Sequence, residues 1–206
     1  MNLQKYIEFY FKNLFPFYPE KYMNDITASF KKIKPVLIED IRYYPHYISF
    51  DGTDDELIKI IMLNASAEAV VLYRIENTLF HSSEDHPLLA YLANMMKIKS
   101  NAEIYYSTDI GPGFRIVHSC GTVLGPRNKI GSNFSIYQNV TIGQKRGAVD
   151  FVTIGDKVQL SAGCKVIGKL NIGSNTVIGA NAVLLNDAEP NSVYVGAPAK
   201  KVIPKK

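Results

Sequence analysis

Two hydrophobic rhythms divide this 206-residue chain. Through about residue 102, apolar residues recur three and four apart within Leu3–Leu14, Tyr22–Ile41, Glu56–Leu63, Ala65–Phe80 and Pro87–Lys97. That spacing puts them on one face of an α-helix, so five helices are predicted. Pro16, Pro19, Pro45 and "DGTDD" at 51–55 punctuate them, and the last offers Asp and Thr to cap the next helix. From Ile104 the step becomes six residues: Ile104, Ile110 and Ile116, then Leu124, Ile130, Ile136 and Ile142, then Ile154, Leu160, Val166, Ile172, Ile178 and Leu184. Glycine often follows the aliphatic, as at Gly111, Gly125, Gly143 and Gly179, and Thr108, Val140, Cys164, Thr176 and Ala182 stand two before it.

A hexapeptide repeat of this kind implies a solenoid. Each unit is a short strand and a turn, and it buries its aliphatic residue only against the coils above and below. An ordinary β-sandwich needs period two and has no use for period six. With three sides per coil, about 18 residues make one turn, so 104–184 supplies four to five coils. The fold class is therefore α+β. An all-α helical domain over 1–102 precedes a parallel β-helix with a C-terminal tail over 103–206. Cys164 fills an inward slot and reads as core.

The pattern breaks twice. Between Ile116 and Leu124 the count slips by two residues, and this stretch holds His118, the only histidine after residue 103. Across Gly143–Val152, "GQKRGAVDFV", the count holds but the composition is that of a loop thrown out of a coil. Solenoids carry binding residues at such departures, because stacked coils fix their position.

Composition narrows the function classes. No apolar run reaches the roughly 18 residues of a membrane span, and "MNLQKYIEFYFKNLF" mixes Lys and Glu into what a secretory signal keeps apolar. Two cysteines, Cys120 and Cys164, make no disulfide framework, so a reduced cytoplasmic setting is expected. A net charge of +4 suits a small anionic ligand, and without a basic helix or RNA-binding aromatics no nucleic-acid partner is expected.

The stretch "EIYYSTDIGPGFRIVHSCGTVLGPRNKIGSNFSIYQNVTIG", with "AVVLYRI" at 69–75 and the terminal "VGAPAKKV", resembles the hexapeptide-repeat acyltransferases, and among them the serine acetyltransferases. The resemblance covers roughly 65–203 and is most specific around His118. It implies a left-handed β-helix, a homotrimer or a dimer of trimers, and acetyl transfer from acetyl-CoA to the hydroxyl of L-serine without a metal. His118 matches the catalytic base and Glu103 the carboxylate that orients it, although the family usually has Asp there. A solvated carboxylate at the first coil is the alternative reading of Glu103. A hydroxyl needs a base near neutral pH to attack a thioester, which suits histidine. By the same resemblance Gly143, Gln144, Ala162 and Ala180 meet the cofactor through their backbone, and Lys200, helped by Lys201, meets its phosphates.

The acceptor side departs from the family. Val117 replaces the aspartate before the histidine. The extruded loop is two residues shorter, and Asp150 and Phe151 stand where an Arg-His pair grips the amino acid. Arg146 or Lys145 is the substitute cation within the loop, and Asp51 falls near the aspartate that binds the amino group. A sugar hydroxyl is the alternative acceptor, with Phe151 and Tyr137 stacking on it, and a non-catalytic scaffold is the second alternative. A zinc-dependent anhydrase on the same β-helix needs three histidines per metal, and the repeat region has one. The family's sulfhydrylase partner takes a tail ending in isoleucine, whereas this sequence ends "VIPKK".

Overall fold

A computed structural model of the chain describes residues 3–14, 22–45, 49–145 and 151–204. The five helices are α1 (Leu3–Leu14), α2 (Met23–Arg42), α3 (Asp54–Leu63), α4 (Ala65–Ser82) and α5 (Leu89–Ser100). Thr53 caps α3 by accepting from Glu56 N at 3.4 Å, and Asn64 caps α4 by accepting from Ser66 N and Ala67 N. Asn101 ends α5 in the left-handed region, φ 53°, and strands begin at once.

Four coils follow, each with three short strands. They hold β1 (Ala102–Ile104), β2 (Asp109–Ile110) and β3 (Arg115–Val117), then β4 (Thr122–Leu124), β5 (Lys129–Ile130) and β6 (Ser135–Tyr137). The third and fourth coils hold β7 (Thr141–Gly143), β8 (Thr153–Ile154) and β9 (Gln159–Leu160), then β10 (Lys165–Ile167), β11 (Asn171–Ile172) and β12 (Val177–Ile178). A last edge, β13 (Val183–Leu184), β14 (Ser192–Val195) and β15 (Lys200–Pro204), closes the column. Strands one coil apart pair in parallel, giving three faces: β1-β4-β7-β10-β13, β2-β5-β8-β11 and β3-β6-β9-β12-β14. β15 returns antiparallel on β14. The left-handed β-helix expected from the resemblance is the architecture observed.

The thirteen repeated aliphatics all point inward and are at most 6% exposed. Cys164 is fully buried among them, and burial pushes its thiol up to about 12, so it is inert core. Glycine follows where stacked backbones crowd: a Cβ on Gly173 would lie 2.4 Å from Pro190 N.

A buried ion pair joins α2 to α4, and hydrogen bonds from it and its neighbour Tyr73 fasten the helices to the first coil. Arg74 donates from Nε and Nη2 to Asp40 Oδ2 and Oδ1, each at 2.9 Å, and from Nη2 to Gly111 O at 2.8 Å. Phe114 N donates to Asp40 Oδ1 at 2.7 Å, and Tyr73 OH to Thr108 O at 2.8 Å. Burial raises the Asp40 carboxyl above its ordinary value, against the pull of Arg74. One continuous apolar core runs from Tyr6 to Tyr194, so helices and prism pack as one body.

Candidate active site

His118 follows β3 at the corner between two faces, with φ 55°, a left-handed conformation that a side chain rarely adopts. Its corner takes eight residues from Ile116 to Leu124, where the next coil takes six from Ile136 to Ile142. The two extra residues lift the imidazole off the regular path, and it stands exposed. Ser119 N, donating to Ser66 Oγ at 3.2 Å, and Gly121 N, donating to Asn101 O at 2.8 Å, hold the bulge in place.

A cavity of about 340 Å³ opens beside it. The prism supplies Arg115, Ile116, Val117, His118 and Tyr137; the helical layer supplies Tyr44, Pro45, Asn64 and Ser66. Tyr44 is fixed there because its hydroxyl accepts from Ile116 N at 3.1 Å.

Strand pairing stacks this corner down the prism. Ile116 lies beside Ile136, Ile136 beside Leu160, and Leu160 beside Ile178. The residues two further along on the lower strands, Gln138, Ala162 and Ala180, form one column; Cys120 takes its head, its carbonyl accepting from Asn139 N as that of Gln138 accepts from Gly163 N, and His118 stands on the insertion just before it. The column's length is three strand spacings, about 14 Å at ~4.8 Å each. Among the described residues the amide N–H groups of Ala162 and Ala180 have no recorded acceptor, and both side chains reach the surface. Small side chains, free amides and a straight edge fit an extended acyl carrier chain with amide groups of its own. Past Ala180, Gly196 takes the next place by pairing through Tyr194, and Lys200 lies exposed on the following strand. Lys201 is bound to Glu189 at 2.5 Å.

Other candidate residues lie elsewhere in the single chain. Glu103 projects outward from β1, pairs with Lys97 at 2.9 Å and lines a separate cavity of about 210 Å³. No hydrogen bond joins it to His118 among the described residues. The strand's alternation explains this: Ala102 and Ile104 point inward, so Glu103 faces out from a different side of the prism. Gly143 and Gln144 lie at the far edge of that side from Ala162. Asp51 accepts from Thr53 N at 2.7 Å, which lowers its pKa, and it stands at the start of α3 outside the lining of the His118 cavity. Phe151 is exposed and has Lys169 Nζ 6.0 Å from its ring centroid. Arg146 and Asp150 lie outside the described residues.

The site also includes residues that the sequence did not single out. Tyr44, Pro45, Asn64 and Ser66 carry no motif, and only docking of the helices brings them to His118. Arg115 had one readable signal: an outward cation three residues before the histidine.

A short-stranded parallel prism, with a histidine lifted from an irregular corner above a column of small residues, defines a hexapeptide transferase. The family model "Bacterial transferase hexapeptide (six repeats)" matches residues 151–186. The serine acetyltransferase of Helicobacter pylori is 33% identical over 146 residues, covering 70% of this chain and 85% of that protein. That of Staphylococcus xylosus is 34% identical over 144 residues, 68% of this chain and 66% of the other. The crystal structure of Neisseria gonorrhoeae serine acetyltransferase in complex with serine superimposes with a TM-score of 0.75 at 27% identity, covering 89% of this chain and 75% of that one. A serine acetyltransferase in complex with CoA, 24% identical, shares the fold with a TM-score of 0.79 over 98% of this chain and 86% of that one. This chain belongs to the serine acetyltransferase family of acyltransferases. Among the described residues no helix is long and apolar enough to cross a membrane.

Proposed function

We propose that this protein moves acetyl from acetyl-CoA to the hydroxyl of L-serine, with His118 as general base. The acetyl group arrives as a thioester, already activated toward attack by oxygen. His118 takes the proton of the serine hydroxyl as that oxygen bonds to the acetyl carbon. The imidazolium then returns the proton to the departing sulfur, so the histidine ends as it began. Such assistance is worth ~10²–10⁴-fold. The observation that carries this reading is the exposed imidazole on the insertion at the head of a column whose lower members, Ala162 and Ala180, have amides without an acceptor among the described residues.

Lys200, beyond the foot of the column, is assigned to the carrier's phosphates. The placing of Glu103, Gly143 and Phe151 away from the His118 cavity supports a site completed between copies in a homotrimer, where Glu103 orients the imidazole and Phe151 meets the acceptor. Two free cysteines fit a reduced cytoplasmic setting. The test is release of free thiol from acetyl-CoA with L-serine, other amino acids and monosaccharides offered in turn. Rapid release with L-serine supports the proposal; turnover confined to monosaccharides overturns it.

A further inference from the structure

We propose that Arg115 grips the acceptor's carboxylate, a specificity role taken by a strand residue of the prism. The proposal rests on the serine-transfer reading and names the group that recognises the amino acid's acid end. A carboxylate leaving water for a cavity needs an opposite charge and directed donors. Arginine's planar fork supplies both. Within the cavity beside His118, Arg115 is the one described lining residue with a permanent charge, and no described carboxylate lines it.

Its side chain is held for the purpose. Nη1 donates to Tyr43 O at 3.3 Å, and the guanidinium carbon lies 5.0 Å from the Tyr43 ring centroid. Nε, by contrast, is buried with no partner among the described residues. Leaving a buried donor unpaired is costly, more so when it is charged, so such a donor on a residue of the cavity wall points to a ligand that satisfies it. Beside it in register on β6 stands Ser135, 2% exposed, whose hydroxyl is also without a partner among the described residues. Two adjacent strands thus offer two unused polar groups side by side. Val117, two along the strand, brings no charge to compete for the arginine. Two residues lie between Arg115 and His118, so their backbones are at most about 10 Å apart at ~3.3 Å per step. The extruded loop, where Asp150 has the wrong sign for a carboxylate, is then not needed as the clamp.

The experiment compares L-serine with L-serinamide, which keeps the hydroxyl and ammonium and lacks the carboxylate. Wild type, Arg115→Gln, Arg115→Lys and Arg146→Gln are assayed for thiol release, with serine binding followed by calorimetry. Arg115→Gln is expected to raise KM for L-serine about 10–100-fold, as loss of a charge-assisted bond implies. It should leave kcat within a few-fold and KM for serinamide unchanged, erasing the wild-type preference, and Arg115→Lys should restore part of it. A purely structural role for Arg115 would affect both acceptors alike. Undiminished preference in Arg115→Gln, or its loss in Arg146→Gln instead, overturns the proposal. Wild type that releases no thiol with L-serine overturns the serine-transfer reading instead. In that case serine binding abolished by Arg115→Gln sustains the anchor, and binding unchanged by it refutes the anchor.

Discussion

The prism and the helical layer come to the site by opposite routes. In the prism one rule repeats. The inward aliphatic is buried, its neighbours face out, and pairing every coil stacks Gln138, Ala162 and Ala180 on one edge below the insertion that carries His118. The helical layer has no repeat and contributes its ends: Tyr44 and Pro45 after α2, Asn64 and Ser66 where α3 meets α4. The regular part forms the surface that any acyl carrier chain could follow. The irregular part closes the wall of the cavity beside His118, the wall that the proposed function assigns to the acceptor. A shared repeat therefore says much about the donor and little about the acceptor.

The strongest way to break this pairing is to cut the join. Asp40→Ala leaves the Arg74 guanidinium buried without its counter-charge, which typically costs 3–5 kcal/mol. Urea denaturation should show that loss. Assays below the transition should show KM for L-serine rising more than KM for acetyl-CoA, because Tyr44 lies just past the released end of α2. Equal rises in both constants would mean that the helices also shape the donor edge.

A smaller effect of opposite sign is expected inside the helical layer. Glu76 on α4 is fully buried, and both its carboxylate oxygens lack a partner among the described residues. Burial holds its carboxyl well above the ordinary value, against a weaker pull from Lys97. As pH rises past the unfolded value of about 4.3, unfolded chains ionise first, so wild type loses stability until the folded pKa is reached. Glu76→Gln removes this slope and should be more stable by about 1–3 kcal/mol at pH 8, with little difference at pH 4. Melting temperatures at the two pH values check it; parallel curves would contradict it.

The smallest effect isolates helix formation from the site. Thr53→Ala deletes the cap of α3 and should cost about 1 kcal/mol or less, its bond to Glu56 N being long at 3.4 Å. Denaturation should reveal the loss, with thiol release unchanged.

Most of the fold was legible because it obeys short-range rules. The three-four spacing located every helix to within a few residues, missing at α5 only where a turn occupies Pro87 and Leu88 and the helix runs on to Ser100. The six-residue step located thirteen inward aliphatics, all of them buried. His118 was legible as a break in that step, since a slip of two residues changes the corner that carries it. The acceptor wall was not, because no local pattern in "RYYPHYISF" says that Tyr44 will meet Ile116 N. In the folded chain Asp51 serves as a turn acceptor for Thr53 and Glu103 as the partner of Lys97.

The most direct measurement is the rate of thiol release from acetyl-CoA with saturating L-serine, wild type against His118→Ala, on samples whose assembly and melting temperature agree. A fall of at least ~10²-fold is predicted, as for loss of a general base. Turnover of His118→Ala within a few-fold of wild type would contradict the account at its centre.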